Sequence, residues 1–168
     1  MNYEQEEDSI INYLVSSFVA DAEENDYNAG KIDVSALPEV DEEFDKSFGK
    51  RKIYVAYTGE EADQELKSLP TVNQEGTAIF SVLIKSKSLR TKDRLPGSYA
   101  LIRLLKKFLI GFQLDYGYPL VFVDAKMESH ESGIFTHVLN FRSKIYVLQD
   151  QQEEEPVLGG KLNKVNYL

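Results

Sequence analysis

Asp124-Ala125-Lys126, directly after the apolar residues 120–123, is the string whose residue types and spacing come nearest to a catalytic pattern. A carboxylate two residues before a lysine on a strand suits a metal-dependent nuclease, where carboxylates hold Mg²⁺ and the lysine steadies developing charge. That chemistry needs a second, upstream carboxylate, and Asp93, set in a basic loop, is a poor substitute. The same residues on an exposed strand make an ordinary cross-strand charge pair, and this is the expectation.

The two histidines, His130 and His137, lie seven residues apart, so in an unbroken strand they point to opposite faces. His137 shares the parity of Phe135 and Leu139 and is expected in the core, while His130 is expected exposed in a turn. Neither has a Ser or Asp neighbour in a nucleophile motif, and no G-x-S-x-G occurs. No P-loop or G-x-G-x-x-G string is present to cradle phosphate. With no cysteine there are no disulfides, no thiolate chemistry and no Cys-based zinc or iron–sulfur site. No catalytic, cofactor or metal residue is assigned, and no cofactor is called for.

Charge is the next signal. Residues 1–75 hold 6 basic and 19 acidic side chains, residues 76–148 hold 11 and 5, and the last twenty hold 2 and 4. The resulting net charges of −13, +6 and −2 mark faces that meet something, either another copy of the chain or a polyanion. Lys85, Lys87, Arg90, Lys92, Arg94, Arg103, Lys106 and Lys107 form the basic group. Against nucleic acid as its partner stands the overall charge of −9 and an isoelectric point near 4.8. The acidic start is unlike a signal peptide, and no stretch approaches the ~18 apolar residues of a membrane span.

The elements that must position these groups follow from periodicity. Ile10, Ile11, Leu14, Val15, Phe18 and Val19 make one stripe of a helix over 8–23, with Asp8 or Ser9 capping its start. Short strands are predicted at 31–37 and 51–58, the latter half-buried through Ile53, Val55 and Tyr57. The acidic stretch 39–48 reads as an exposed loop or short helical turn, and 59–75 as loop. Ala78, Phe80, Val82 and Ile84 line one face of a strand over 76–87, followed by a basic loop at 88–94. A second helix opens at Pro96-Gly97-Ser98, buries Leu101, Leu104, Leu105 and Phe108, and ends at Gly111. Two last strands, 119–127 and 133–148, are joined by a turn at 128–132. The order α-β-β-β-α-β-β predicts an α+β fold, a mainly antiparallel sheet of four to five strands with both helices on one face. One domain spans 1–148, and the acidic tail 149–168 reads as flexible or docked on a neighbour.

Four strings carry a resemblance: IFSVLIKSKSLR, LPGSYALIRLLKKFLIGF, YPLVFVDAKM and GIFTHVLNFRSKIYV, spread between Ile79 and Val147. The basic Ser88-Leu89-Arg90 loop, the Gly97-Ser98-Tyr99 helix start, the Leu109-Ile110-Gly111 helix end and the aromatic strand from Phe135 to Phe141 are their landmarks. Together they resemble the Mu-like phage family of small tail proteins of the tail-terminator, or tail-completion, type. The resemblance implies an α+β fold, no catalysis, and assembly as a ring, commonly of six copies, that caps a tail tube. It also implies a bacterial cytoplasmic origin during assembly, a final place in the virion tail, and other tail proteins as partners.

A head-to-tail ring needs two different complementary surfaces on each subunit. The first guess pairs Arg90, Lys92 and Arg94 of the basic loop with Glu42, Glu43 and Asp45 of the acidic one. Two other classes stay open: a small nucleic-acid-binding or nuclease domain using the basic loop with Asp124 and Lys126, and a monomeric interaction module.

Overall fold

The computed structural model describes residues 2–38, 51–62, 73–115 and 117–148. The expectations placed on 39–48, on Glu42, Glu43 and Asp45, and on the tail 149–168 lie outside the described residues.

Helix α1 runs Tyr3–Asn25, five residues earlier than its apolar stripe suggests. The cap is Asn2, whose side chain accepts from the Gln5 N–H, and not Asp8 or Ser9. Long-range contacts explain the extra turns. Tyr3 stacks on Tyr57 with ring centroids 3.9 Å apart, and its hydroxyl donates to Glu60. Glu7 accepts the main-chain N–H of Tyr57, and the fully buried Glu6 accepts that of Asp115 at 3.1 Å. These carboxylates are stitches between elements rather than solvated charges. Ile10, Leu14, Phe18 and Ala22 form the buried face at four-residue spacing. Val15 and Val19, expected in the same stripe, remain 45% and 48% exposed. Asp26 closes the helix in a left-handed conformation (φ 53°).

After a 3-10 turn at Ala29–Lys31, the strands are β1 (Ile32–Ala36), β2 (Arg51–Ala62), β3 (Asn73–Ser86), β4 (Val121–Glu131) and β5 (Ile134–Leu148). Helix α2 (Ser98–Leu109) separates β3 from β4. Among the described residues these make one five-stranded sheet in the order β1-β2-β3-β5-β4, with α+β organisation as expected. β1 pairs with β2 in parallel, Val34 opposite Ile53, and the other three pairings are antiparallel. β5 is inserted between β3 and β4, which run in the same direction on either side of it: a split β-α-β unit.

Strand parity sets the core. Ala78, Phe80, Val82 and Ile84 of β3 lie beside Leu139, Phe141 and Ile145 of β5, all essentially inaccessible. Against this face pack α1 and α2, the latter through Leu101, Leu104, Leu105, Phe108 and Leu109. β2 departs from its half-buried expectation, because Lys52, Tyr54 and Ala56 on the opposite face are buried as well. Lys52 keeps a counter-charge in Asp33 of the neighbouring strand, 3.8 Å away.

The last hairpin is tighter than expected. Its turn is Ser132-Gly133, with φ values of 52° and 77°, the left-handed pair of a two-residue type I′ turn. His130 therefore sits on β4, exposed and stacked on Phe135 at 4.1 Å, rather than in the turn. His137 is buried opposite Ile84, and burial lowers its pKa below the ordinary 6.5. Its protonated form is disfavoured in the fold, so stability is complete above pH 6.5 and declines as pH falls through the depressed folded value. The melting midpoint should fall between pH 7.5 and 5, and His137→Gln should flatten that part of the profile.

Candidate interaction surfaces

The basic loop between β3 and α2 is built by main-chain bonds. Ser98 and Tyr99 N–H donate to Ser88 and Leu89 carbonyls at 2.9 and 3.0 Å, tying the loop to the first turn of α2. Lys92 and Leu95 exchange two bonds across Asp93-Arg94, both left-handed (φ 53° and 61°), which folds the tip into a small hairpin. Gly97 sits so close to Arg90 that a Cβ would meet the Arg90 carbonyl oxygen at 2.3 Å. Arg51 Nε donates to the Pro96 carbonyl at 3.1 Å and fixes the loop to the sheet.

The loop presents Arg90, Lys92 and Arg94 to solvent. One of them is already engaged within the chain: Arg94 Nη1 lies 2.7 Å from Asp26 Oδ2 at the end of α1. Both side chains are mostly exposed, so this pair contributes under ~1 kcal/mol. Lys107 of α2 reaches Asp21 of α1 at 3.2 Å. Part of the negative-to-positive asymmetry along the chain is therefore satisfied inside one molecule.

Between the end of α1, the loop and α2 lies an open cleft of about 550 Å³, lined by Asp21, Asp26, Tyr27, Arg94, Arg103 and Lys107. Buried Asp21 accepts from both Lys107 and the Tyr27 hydroxyl, the latter at 3.1 Å. Burial, followed by the Asp21 charge, raises the Tyr27 pKa. Its phenol stays protonated and donates to Asp21, so the cleft offers hydrogen-bonding groups, with three cations against two carboxylates. The other basic residues are dispersed: Lys85 is buried, and Lys106 caps the Phe122 ring 4.0 Å from its centroid.

Asp124 and Lys126 do meet, at 3.3 Å, but along one strand rather than across two. The cross-strand partner of Asp124 is Asn140, whose amide donates to its carboxylate at 2.7 Å. Asn140 in turn accepts from the Ser81 hydroxyl at 2.7 Å, and the Thr58 hydroxyl lies 3.0 Å from Ser81. This polar chain crosses β2, β3, β5 and β4 on the face away from the helices. The Asn140 bond, with Lys126 adding its charge, lowers the Asp124 pKa. Among the described residues, no three His, Cys, Asp or Glu side chains come together as a metal site. Sequence reading missed this chain although Ser81 and Asn140 stand at outer-face parity in their strands, because its links run between four strands whose pairing no local pattern encodes.

Comparison with known proteins adds three findings. No curated protein matches the chain. A chain in the virion of a native gene transfer agent (GTA) particle shares 14% identity, covers 79% of this chain and 84% of its own length, and has a TM-score of 0.44. The Gp37 protein family matches residues 26–168, which is everything after α1. The split β-α-β unit, the basic loop and the final hairpin all fall inside that match, and the chain belongs to the Gp37 family of phage proteins.

Proposed function

We propose that this chain is a non-enzymatic structural subunit of a phage or prophage tail, a tail terminator or completion protein that assembles as a ring at the tail end. The reading rests on membership of a phage protein family and on the likeness of residues 79–147 to small tail-terminator proteins. The observation that carries it is the shape of the sheet. Among the described residues its two outer strands, β1 and β4, differ in length, sequence and surroundings, so each subunit offers two unlike edges. Unlike edges favour heterologous, head-to-tail contact, which closes into rings when the rotation allows. The ring, of six copies by the same likeness, would form in the bacterial cytoplasm and end in the virion tail beside other tail proteins.

Light scattering over a concentration series tests the reading. A closed species at a whole multiple of 19.1 kDa, dissociating with salt, is the expected result, and a 19.1 kDa particle at every concentration overturns it. Changing Arg90, Lys92 and Arg94 together to Glu should weaken assembly. Melting needs to be followed in parallel, because Arg94→Glu also breaks the pair with Asp26. An unchanged oligomer would remove the basic loop from the interface.

A further inference from the structure

Strand β4 presents an open edge whose charges, apolar side chains and bends are arranged on either side of Ala125. Among the described residues it pairs only with β5, and it is exposed along most of its eleven residues. The chain just before it is tied down: the Leu120 N–H donates to Phe112 O at 2.8 Å, and Leu120 O accepts from the Gly111 N–H at 2.9 Å. The free edge therefore opens at Val121.

Its central residues are Val123-Asp124-Ala125-Lys126-Met127. Val123 and Met127 are 48% and 58% exposed. Asp124 and Lys126 lie on the same face, 3.3 Å apart, with their side chains 37% and 65% exposed. Bulges at Val123 and Glu128 stand to either side, leaving Asp124–Met127 as the regular stretch between them.

Bulges and charges make such an edge unfit for arbitrary strands. One partner matches it: the same edge of a second copy, run antiparallel about Ala125. In that register Asp124 of each copy stands opposite Lys126 of the other, and the four charges alternate in sign. Val123 stands opposite Met127, which joins the exposed apolar side chains, and Val121 stands opposite Ser129. The remaining acids are accommodated too, because Glu128 falls opposite Phe122 and Glu131 opposite Pro119. No two like charges stand directly opposite each other. Sliding the pair by two residues sets Asp124 against Asp124 or Lys126 against Lys126, and sliding by one turns the matched side chains to opposite faces.

We infer that β4 is a self-recognition edge, at which two copies of this chain join antiparallel about Ala125 and their sheets become continuous. Main-chain bonds supply the attraction, and the alternating charges fix the register. The inference goes beyond the ring reading and does not rest on it. This two-fold contact uses β4 and leaves β1 and the basic loop free for contacts of another kind.

The chain has no cysteine, so Ala125→Cys in the full-length protein can form a disulfide only between copies. Opposed residues of an antiparallel pair lie about 4.5–5.5 Å apart at Cα, within disulfide reach. Mild oxidation should convert the variant to a covalent species of twice 19.1 kDa. Val121→Cys alone should stay unlinked and should link when mixed with Ser129→Cys. Charge reversal reads the register independently. Lys126→Asp keeps the Asp124–Asn140 bond but sets acid against acid, and should raise the concentration needed for pairing at least ~10-fold. Asp124→Lys should do the same. Mixing the two single variants, or combining both changes in one chain, should restore pairing, because Asp and Lys then face each other again.

An Ala125→Cys variant that stays at 19.1 kDa after oxidation overturns the inference, and so does a Lys126→Asp variant that pairs like the parent. If Asp124→Lys loses the parent's cooperative melting, the cysteine variants and Lys126→Asp still decide. A ring that forms while the Ala125→Cys thiols remain unlinked overturns the inference and leaves the ring reading standing. A covalent pair from a protein that never exceeds two copies supports it and removes the ring.

Discussion

Gly97→Ala is expected to destabilise the chain by about 1–3 kcal/mol and to detach the basic loop from α2. The torsion at Gly97 is ordinary (φ −86°), so the cost is one of space. A Cβ there would lie 2.3, 2.4 and 2.7 Å from the O, C and N atoms of Arg90, all main-chain atoms that cannot swing aside. Relief requires the loop to move away, which strains the bonds from Ser98 and Tyr99 N–H to Ser88 and Leu89. Urea unfolding should show the lower midpoint, and hydrogen exchange should show faster loss at the Ser98 and Tyr99 amides. An unchanged midpoint with both amides protected would mean that the loop is not seated on Gly97. Because Arg90 itself forms the contact, this variant also tests whether the basic loop must be rigid to support assembly.

Phe141→Ala should cost more, about 3–5 kcal/mol, as expected for truncating a buried phenylalanine. Phe141 is fully buried, sits directly opposite Phe80 in the β3–β5 pairing, and meets Phe122 edge-on with ring centroids 5.7 Å apart. Phe122 is the aromatic side chain by which β4 reaches the core. The cavity therefore removes support from the outer strand as well as from the centre. Amide exchange along β4 should accelerate beyond what the global loss of stability explains. Val123→Ala, on the same strand but exposed, should stay within ~0.5 kcal/mol of the parent. Equal losses for the two variants would contradict the assignment of Phe141 to the core and Val123 to the open edge.

Which regions were legible in advance follows from how far each feature reaches along the chain. Period and parity are properties of the local backbone. The alternation Ala78, Phe80, Val82, Ile84 and the row Leu101, Leu104, Leu105, Phe108 therefore identified the core faces of β3 and α2 from the residues alone. His137 was placed inside on the same ground. Pro96-Gly97 before α2 and Gly111 after it marked the helix limits because they act through their own torsions and packing. The basic loop and its three cations were legible as composition.

Other features depend on partners distant in sequence. Glu6 reads as part of an acidic solvent tail until Asp115, 109 residues away, supplies the N–H it accepts. Asp26 reads as a turn former until the loop folds back and brings Arg94 to it. Val15 and Val19 share the apolar character of Phe18, yet only the position of α1 over β1 and β2 decides which flank is covered. Asp124 faces Asn140 across the strands because of the bulge between Phe122 and Asp124, a register that no local pattern encodes.

The sequence by itself determined the element order, the buried parity of β3 and β5, and the α+β class. Only the tertiary structure decided that β1 runs parallel to β2, that β5 lies between β3 and β4, and hence that β1 and β4 are the outer strands among the described residues. The physical reason is that torsional preference and burial act over a few residues, whereas strand order and edge exposure are set by which distant segments close on one another.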